Sequence, residues 1–191
     1  MQNVPDPFPL IGHNGGPSLS AAKGWKTHCW RVAREQLLPH LPVEIVRLRV
    51  RRATELGLDY KTYAGVRATT GRDLVAFLFS SNALGLWAPP SVLAAERAAK
   101  LTRIAGCGRI ALAHLPLTPE QVLVAAPMLD GVSPAPGLLA PHHAIRSSLR
   151  IALGDVPSDA VLLIGAHGLE QDWCAAGRLA SYLPAERFFQ M

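Results

Sequence analysis

The sequence predicts an α/β protein: a small, mainly parallel three-stranded sheet with flanking helices and an N-terminal helical region. Two observations carry this prediction. Short, largely apolar runs recur at Leu74–Phe79, Arg109–His114 and Ala160–Gly165, the texture of strands buried on both faces of a parallel sheet. Between them lie longer stretches with helix start signals, so that strand and helix alternate. The 191 residues, 49% apolar and 17% charged, suit one domain with an N-terminal extension and exclude a disordered chain.

In chain order, residues 1–19 hold four Pro and three Gly and read as an irregular segment. Residues 20–71 form a basic helical region. Ser20 is placed to cap a helix to about Leu38, with Trp25, Cys29, Val32 and Gln36 on one face, and Pro39 ends it. Pro42 suits a first helical position. In Val43–Gly57 the alternation of Val46, Leu48 and Val50 with arginines resembles a strand. The apolar stripe continues at helical spacing past Arg52, however, and Gly57 is a suitable stop, so helix is predicted. Asp59 is the N-cap of a further helix over Tyr60–Thr69, ending near Gly71.

Residues 72–191 form the α/β part, which makes one compact unit with 20–71. After the first strand, Pro89-Pro90-Ser91 opens a helix to about Ile104. Thr118-Pro119-Glu120-Gln121 is a capping box with proline at the first position. Residues 127–141, with four Pro and two Gly, read as a long loop. Helices are expected at His142–Leu153 and Leu169–Leu179, and the tail is expected to dock through Phe188 and Phe189.

Composition removes several functions. No run of about 18 uncharged apolar residues exists, so no membrane span is expected, and the N-terminus lacks the pattern of a secretory signal. A cytoplasmic location is the resulting expectation. Cys29, Cys107 and Cys174 form no CxxC pair and are expected to be buried thiols. The seven histidines show no HExxH spacing, so no metal site is expected. GxGxxG, GxxxxGK[ST] and GxSxG are absent, which argues against a dinucleotide or P-loop site and a serine nucleophile elbow. No cofactor is indicated.

Two regions remain where chemistry is expected. Ligands of parallel sheets bind beyond the carboxyl ends of the strands, which here carry Ser80, Ser81 and Asn82, then His114, then His167. Ser80 or Ser81 as nucleophile, with His114 or His167 as base, would make a small enzyme acting on an anionic metabolite. Asp172 is the candidate to orient a histidine. The same residues also read as ordinary helix caps and βα turns.

The second region is set by charge. Residues 1–109 carry 15 Lys and Arg against 7 Asp and Glu, whereas residues 110–191 carry 4 against 7. An anionic partner is therefore expected at the front. Ala53, Gly57 and Val66, within residues 49–68, resemble the small, turn and apolar positions of a helix-turn-helix unit. The resemblance implies nucleic-acid contacts, DNA or RNA, from Tyr60, Lys61, Thr62 and Arg67, with Arg47 and Arg51 on phosphates. An αα-hairpin with a solvated arginine face accounts for the same residues.

The segment Ile11–Pro17, IGHNGGP, resembles an N-terminal signature of uncharacterised bacterial proteins, chiefly alphaproteobacterial. That resemblance implies no activity. A third function class, a protein-interaction or adaptor subunit, would use Trp25, Trp30 and Trp87 as anchors.

Overall fold

A computed structural model of the chain describes residues 41–190. The chain divides into two units, Met1–Pro42 and Val43–Met191; the second is described below. The expected helix over 20–38, Trp25, Trp30, Cys29 and the IGHNGGP segment lie outside the described residues.

Two helices open the unit. Helix α1 spans Val43–Glu55 and α2 spans Tyr60–Thr70. Gly57 turns the chain at φ +66°. The Asp59 carboxylate accepts the Thr62 N–H at 2.8 Å, and Gly71 closes α2 in the left-handed region at φ +72°. These are the cap and stop residues that the sequence requires. Ala53, Leu56, Leu58, Tyr63 and Val66 are buried, so the pair is a packed αα-hairpin.

The remaining elements alternate. They are β1 (Ala76–Ser80), α3 (Ala95–Arg103), β2 (Gly108–Ala113), α4 (Pro119–Ala125), β3 (Gly131–Pro134), α5 (His142–Leu153), β4 (Val161–Gly165), α6 (Gln171–Gly177), β5 (Ser181–Pro184) and α7 (Ala185–Gln190). Helix α3 starts at Ala95, later than the Pro89-Pro90-Ser91 signal. At α4 the expected capping box is complete: Gln121 N–H donates to Thr118 Oγ1, and Thr118 N–H donates to Gln121 Oε1.

All five strands are parallel, in the order β3-β2-β1-β4-β5. The α/β class holds, but the three-stranded expectation is corrected to five. The two additional strands are the edges, Gly131–Pro134 and Ser181–Pro184. Each has four residues and ends in proline, which an edge strand tolerates because its outward N–H groups have no ladder partner. Segment 127–141 is thus a loop interrupted by β3.

The period-2 alternation of the central strands builds two cores. Phe77, Phe79, Ala111, Ala113, Leu162 and Ile164 pack on one face with Leu101 of α3, Val122 of α4, Phe188 of α7 and the α1–α2 hairpin. Ala76, Leu78, Leu112, Val161 and Leu163 pack on the other with Ile145, Leu149 and Leu153 of α5 and Trp173 and Ala176 of α6. The crossover helices change face when the chain passes from β3 to β4. The strand order therefore reverses between β1 and β4, and the crevice beyond their carboxyl ends is the topological switch point of a doubly wound sheet.

Candidate functional site

The switch point is built around one buried carboxylate. Glu170 lies in a short 3-10 turn, Gly168–Glu170, just after β4 and is fully buried. Its Oε2 accepts hydrogen bonds from Ala166 N–H at 2.7 Å, His167 N–H at 3.3 Å and Ser80 Oγ at 3.1 Å. Its Oε1 accepts from Asn82 Nδ2 at 3.4 Å and lies 3.0 Å from His114 Nε2. One side chain thus joins the carboxyl ends of β1, β2 and β4. Gly165 gives it room: a Cβ there would lie 2.5 Å from Glu170 Oε2.

Burial alone pushes the Glu170 carboxyl up. The hydrogen bonds from His114, Ala166 N–H, Ser80 and His167 N–H outweigh it and hold the group below the usual carboxylate range. Glu170 is therefore ionised at neutral pH. An ionised carboxylate only accepts, so the proton between it and His114 sits on Nε2. A neutral His114 ring then keeps its acceptor lone pair on Nδ1.

The ring of His114 stacks on Trp173, with centroids 5.2 Å apart and planes 22° apart. Its backbone N–H donates to Ser81 Oγ at 3.1 Å, and its side chain retains 14% exposure. His167 is exposed; its ring meets Trp87 edge to face at 5.9 Å, and its carbonyl accepts the Tyr182 hydroxyl at 3.0 Å. Exposed apolar side chains flank these residues along the chain: Trp87, which meets His167, and Leu115 and Leu169, next to His114 and Glu170, are 55%, 93% and 48% exposed.

Of the residues singled out at the strand ends, the structure brings Ser80, Asn82 and His114 onto Glu170, and His167 through its backbone. The two serines hold the framework. Ser80 and Ser81 are fully buried; Ser80 Oγ also accepts the Ala83 N–H, and Ser81 Oγ accepts that of His114. Asp172 is exposed, and the carboxylate that meets His114 is Glu170. Glu170, Trp173 and Tyr182 had no sequence signal beyond a carboxylate two residues before Asp172. Burial pushes the Cys107 thiol up to about 12 and the Cys174 thiol up to about 11, so both stay protonated at neutral pH.

The basic hairpin is more committed to its own fold. Arg51 pairs with Glu55 at 3.2 Å. Arg67 Nη1 donates to the Tyr63 hydroxyl at 3.2 Å and lies 3.7 Å from Asp73. Thr62 Oγ1 donates to Asp59 and accepts from Arg187. Tyr60 is half-buried, whereas Arg47 and Lys61 are exposed.

Among the described residues, no three His, Cys, Asp or Glu side chains converge as a metal site, and no helix is long and apolar enough to cross a membrane. Comparison of the chain with protein-family models, curated proteins and solved structures finds no match.

Proposed function

We propose that the chain is a small α/β enzyme that transfers a proton at the switch point, with His114 as general base and Glu170 as the carboxylate that orients it. The carrying observation is the 3.0 Å contact between His114 Nε2 and a buried Glu170 with every other bond satisfied. Such a carboxylate fixes the ring and its tautomer and stabilises the imidazolium formed during proton transfer. Both serine hydroxyls are fully buried, Ser80 Oγ with two hydrogen bonds and Ser81 Oγ holding the His114 N–H, and are poorly placed to attack, so the substrate proton or a water molecule, not a serine ester, is the partner of His114.

The ligand class follows from the surroundings. The groups bonded to Glu170 are two backbone N–H groups, Ser80, Asn82 and His114, none of them a permanent cation. With one negative charge at its base and exposed Trp87, Leu115 and Leu169 on the segments that carry it, the site favours an uncharged or cationic substrate with an apolar body. An anionic metabolite would meet like charge. A base poised this way contributes roughly 10²- to 10⁴-fold to a rate.

The test is a panel of uncharged and cationic esters, amides and ketones assayed with the wild-type chain and His114→Ala. Binding is followed in parallel by NMR shifts of the His114 and Trp87 rings. A turnover lost in His114→Ala and accompanied by those shifts supports the reading. Ligands that leave both rings unshifted, with turnover unaffected by His114→Ala, overturn it.

A further inference from the structure

A second site lies at the opposite, amino-terminal end of the sheet. A cavity of about 320 Å³ is lined by Arg146, Arg150 and Arg178, with Leu149, Leu153 and Val156 as its apolar wall. Residues 110–191 carry an excess of acidic groups and only four cations; three of those four line this one cavity. Arg146 Nε donates to the Ala176 carbonyl at 3.1 Å and so is partly occupied. Neither Arg150 nor Arg178 has a hydrogen-bond or ion-pair partner for its guanidinium among the described residues.

The backbone at Arg178 points the same way. It closes α6 in the left-handed region, at φ 55° and ψ 43°, and is the only non-glycine residue with positive φ among those described. Glycine is the ordinary occupant of such a cap, since a side chain there crowds the backbone. A strained arginine persists where its side chain has a task, and here that side chain borders the cavity. Basic residues at helix carboxyl ends also complement the helix dipole, but that purpose needs no left-handed backbone at the arginine itself.

We infer that this cavity binds a small phosphomonoester with a compact apolar body. Guanidinium forks match phosphate oxygens in bidentate geometry. The volume exceeds what bare phosphate needs and falls in the range of small-molecule sites. Leu149, Leu153 and Val156 offer the remaining wall to an apolar group. Ser158, which also lines the cavity, adds a hydroxyl donor. The site is independent of the His114–Glu170 dyad.

Calorimetric titration with phenyl phosphate, with inorganic phosphate and with a single-stranded oligonucleotide lacking a terminal phosphate tests this. The expected order is phenyl phosphate tighter than inorganic phosphate, with the oligonucleotide not competing. Arg178→Gly is the decisive variant, because glycine relieves the backbone strain: its Tm stays level or rises while phenyl phosphate binding weakens at least tenfold. Arg150→Ala weakens it similarly. Unchanged binding in Arg178→Gly overturns the proposal. So does wild-type titration without saturation in the millimolar range, or an oligonucleotide that displaces phenyl phosphate, which would make the cavity a nucleic-acid contact.

Discussion

Glu170 Oε1 lies 3.0 Å from His114 Nε2 across 56 residues of chain, and the same carboxylate reaches Ser80 across 90. The contact therefore forms only when β1, β2 and β4 are assembled, and it makes native stability depend on pH. Because the folded carboxyl is held below its ordinary value of 4.5, folding favours its ionised form. That contribution is fully present above pH 4.5 and is lost as pH falls through the lower folded value. The urea midpoint of the wild-type chain is expected to drop across this acid window. Glu170→Gln should flatten the drop, while lowering the midpoint at pH 7 because the carboxylate's charge-assisted bonds are gone.

Trp173 is expected to tolerate phenylalanine and not alanine. It is fully buried, stacks on His114, and leaves its indole Nε1 without a hydrogen-bond partner. Phenylalanine removes that unpaired donor while keeping an aromatic face against the imidazole, so Trp173→Phe should cost under about 1.5 kcal/mol. Trp173→Ala opens a large void and should cost about 4 kcal/mol. Urea unfolding of both variants checks the pair, and near-equal losses would show that the indole itself, rather than an aromatic face against His114, carries the contribution.

Arg52 is expected to be the most sensitive residue of the basic helix. Its guanidinium donates to Asp73 at 3.0 Å, Leu74 O at 3.1 Å, Gly106 O at 2.9 Å and Ala105 O at 3.2 Å. It thereby ties α1 to the entries of β1 and β2. Lysine keeps the charge but not the planar fork, so Arg52→Lys should cost about 2 kcal/mol. Exposed Arg47 should change stability by less than about 0.5 kcal/mol on replacement by alanine. Equal effects at the two positions would refute this division between a structural and a solvated arginine.

The contrast explains what was legible in the sequence. The three central strands announce themselves because both of their faces are buried, which leaves the apolar runs around Phe77, Ile110 and Leu163. Edge strands face only part of the core, so GVSP and SYLP carry no such run, and their prolines read as loop. The strand-end cluster of Ser80, Asn82 and His114 was legible as a juxtaposition, because the sheet rule needs only strand ends. Glu170 was not, since a carboxylate in a Gly-rich turn looks like any surface charge until residues 56 to 90 positions away close over it. Arg52 was hidden for the same reason: its fork meets carbonyls of segments far along the chain.

Gly165 is the position where fold and site are most tightly joined, and Gly165→Ala tests both. Its requirement is space rather than backbone conformation: a Cβ would sit 2.5 Å from Glu170 Oε2, 2.5 Å from Tyr182 Cε2 and 3.1 Å from the Tyr182 hydroxyl. Glu170 cannot swing aside without leaving Ala166 N–H, His167 N–H, Ser80 and His114 unpaired. Tyr182 cannot retreat without losing the His167 carbonyl. Overpacking at such a site costs about 1–3 kcal/mol. Tyr182→Ala removes one of the two collisions, so the double variant should be more stable than the two single losses added together. The collision with Glu170 remains in that background, so the acid-induced drop in the urea midpoint should be flattened in Gly165→Ala and in the double variant alike. Strictly additive losses would mean that the Tyr182 ring yields to the new methyl group without cost, and an alanine variant with the wild-type pH profile would mean that Glu170 is not held as tightly as its five hydrogen bonds require.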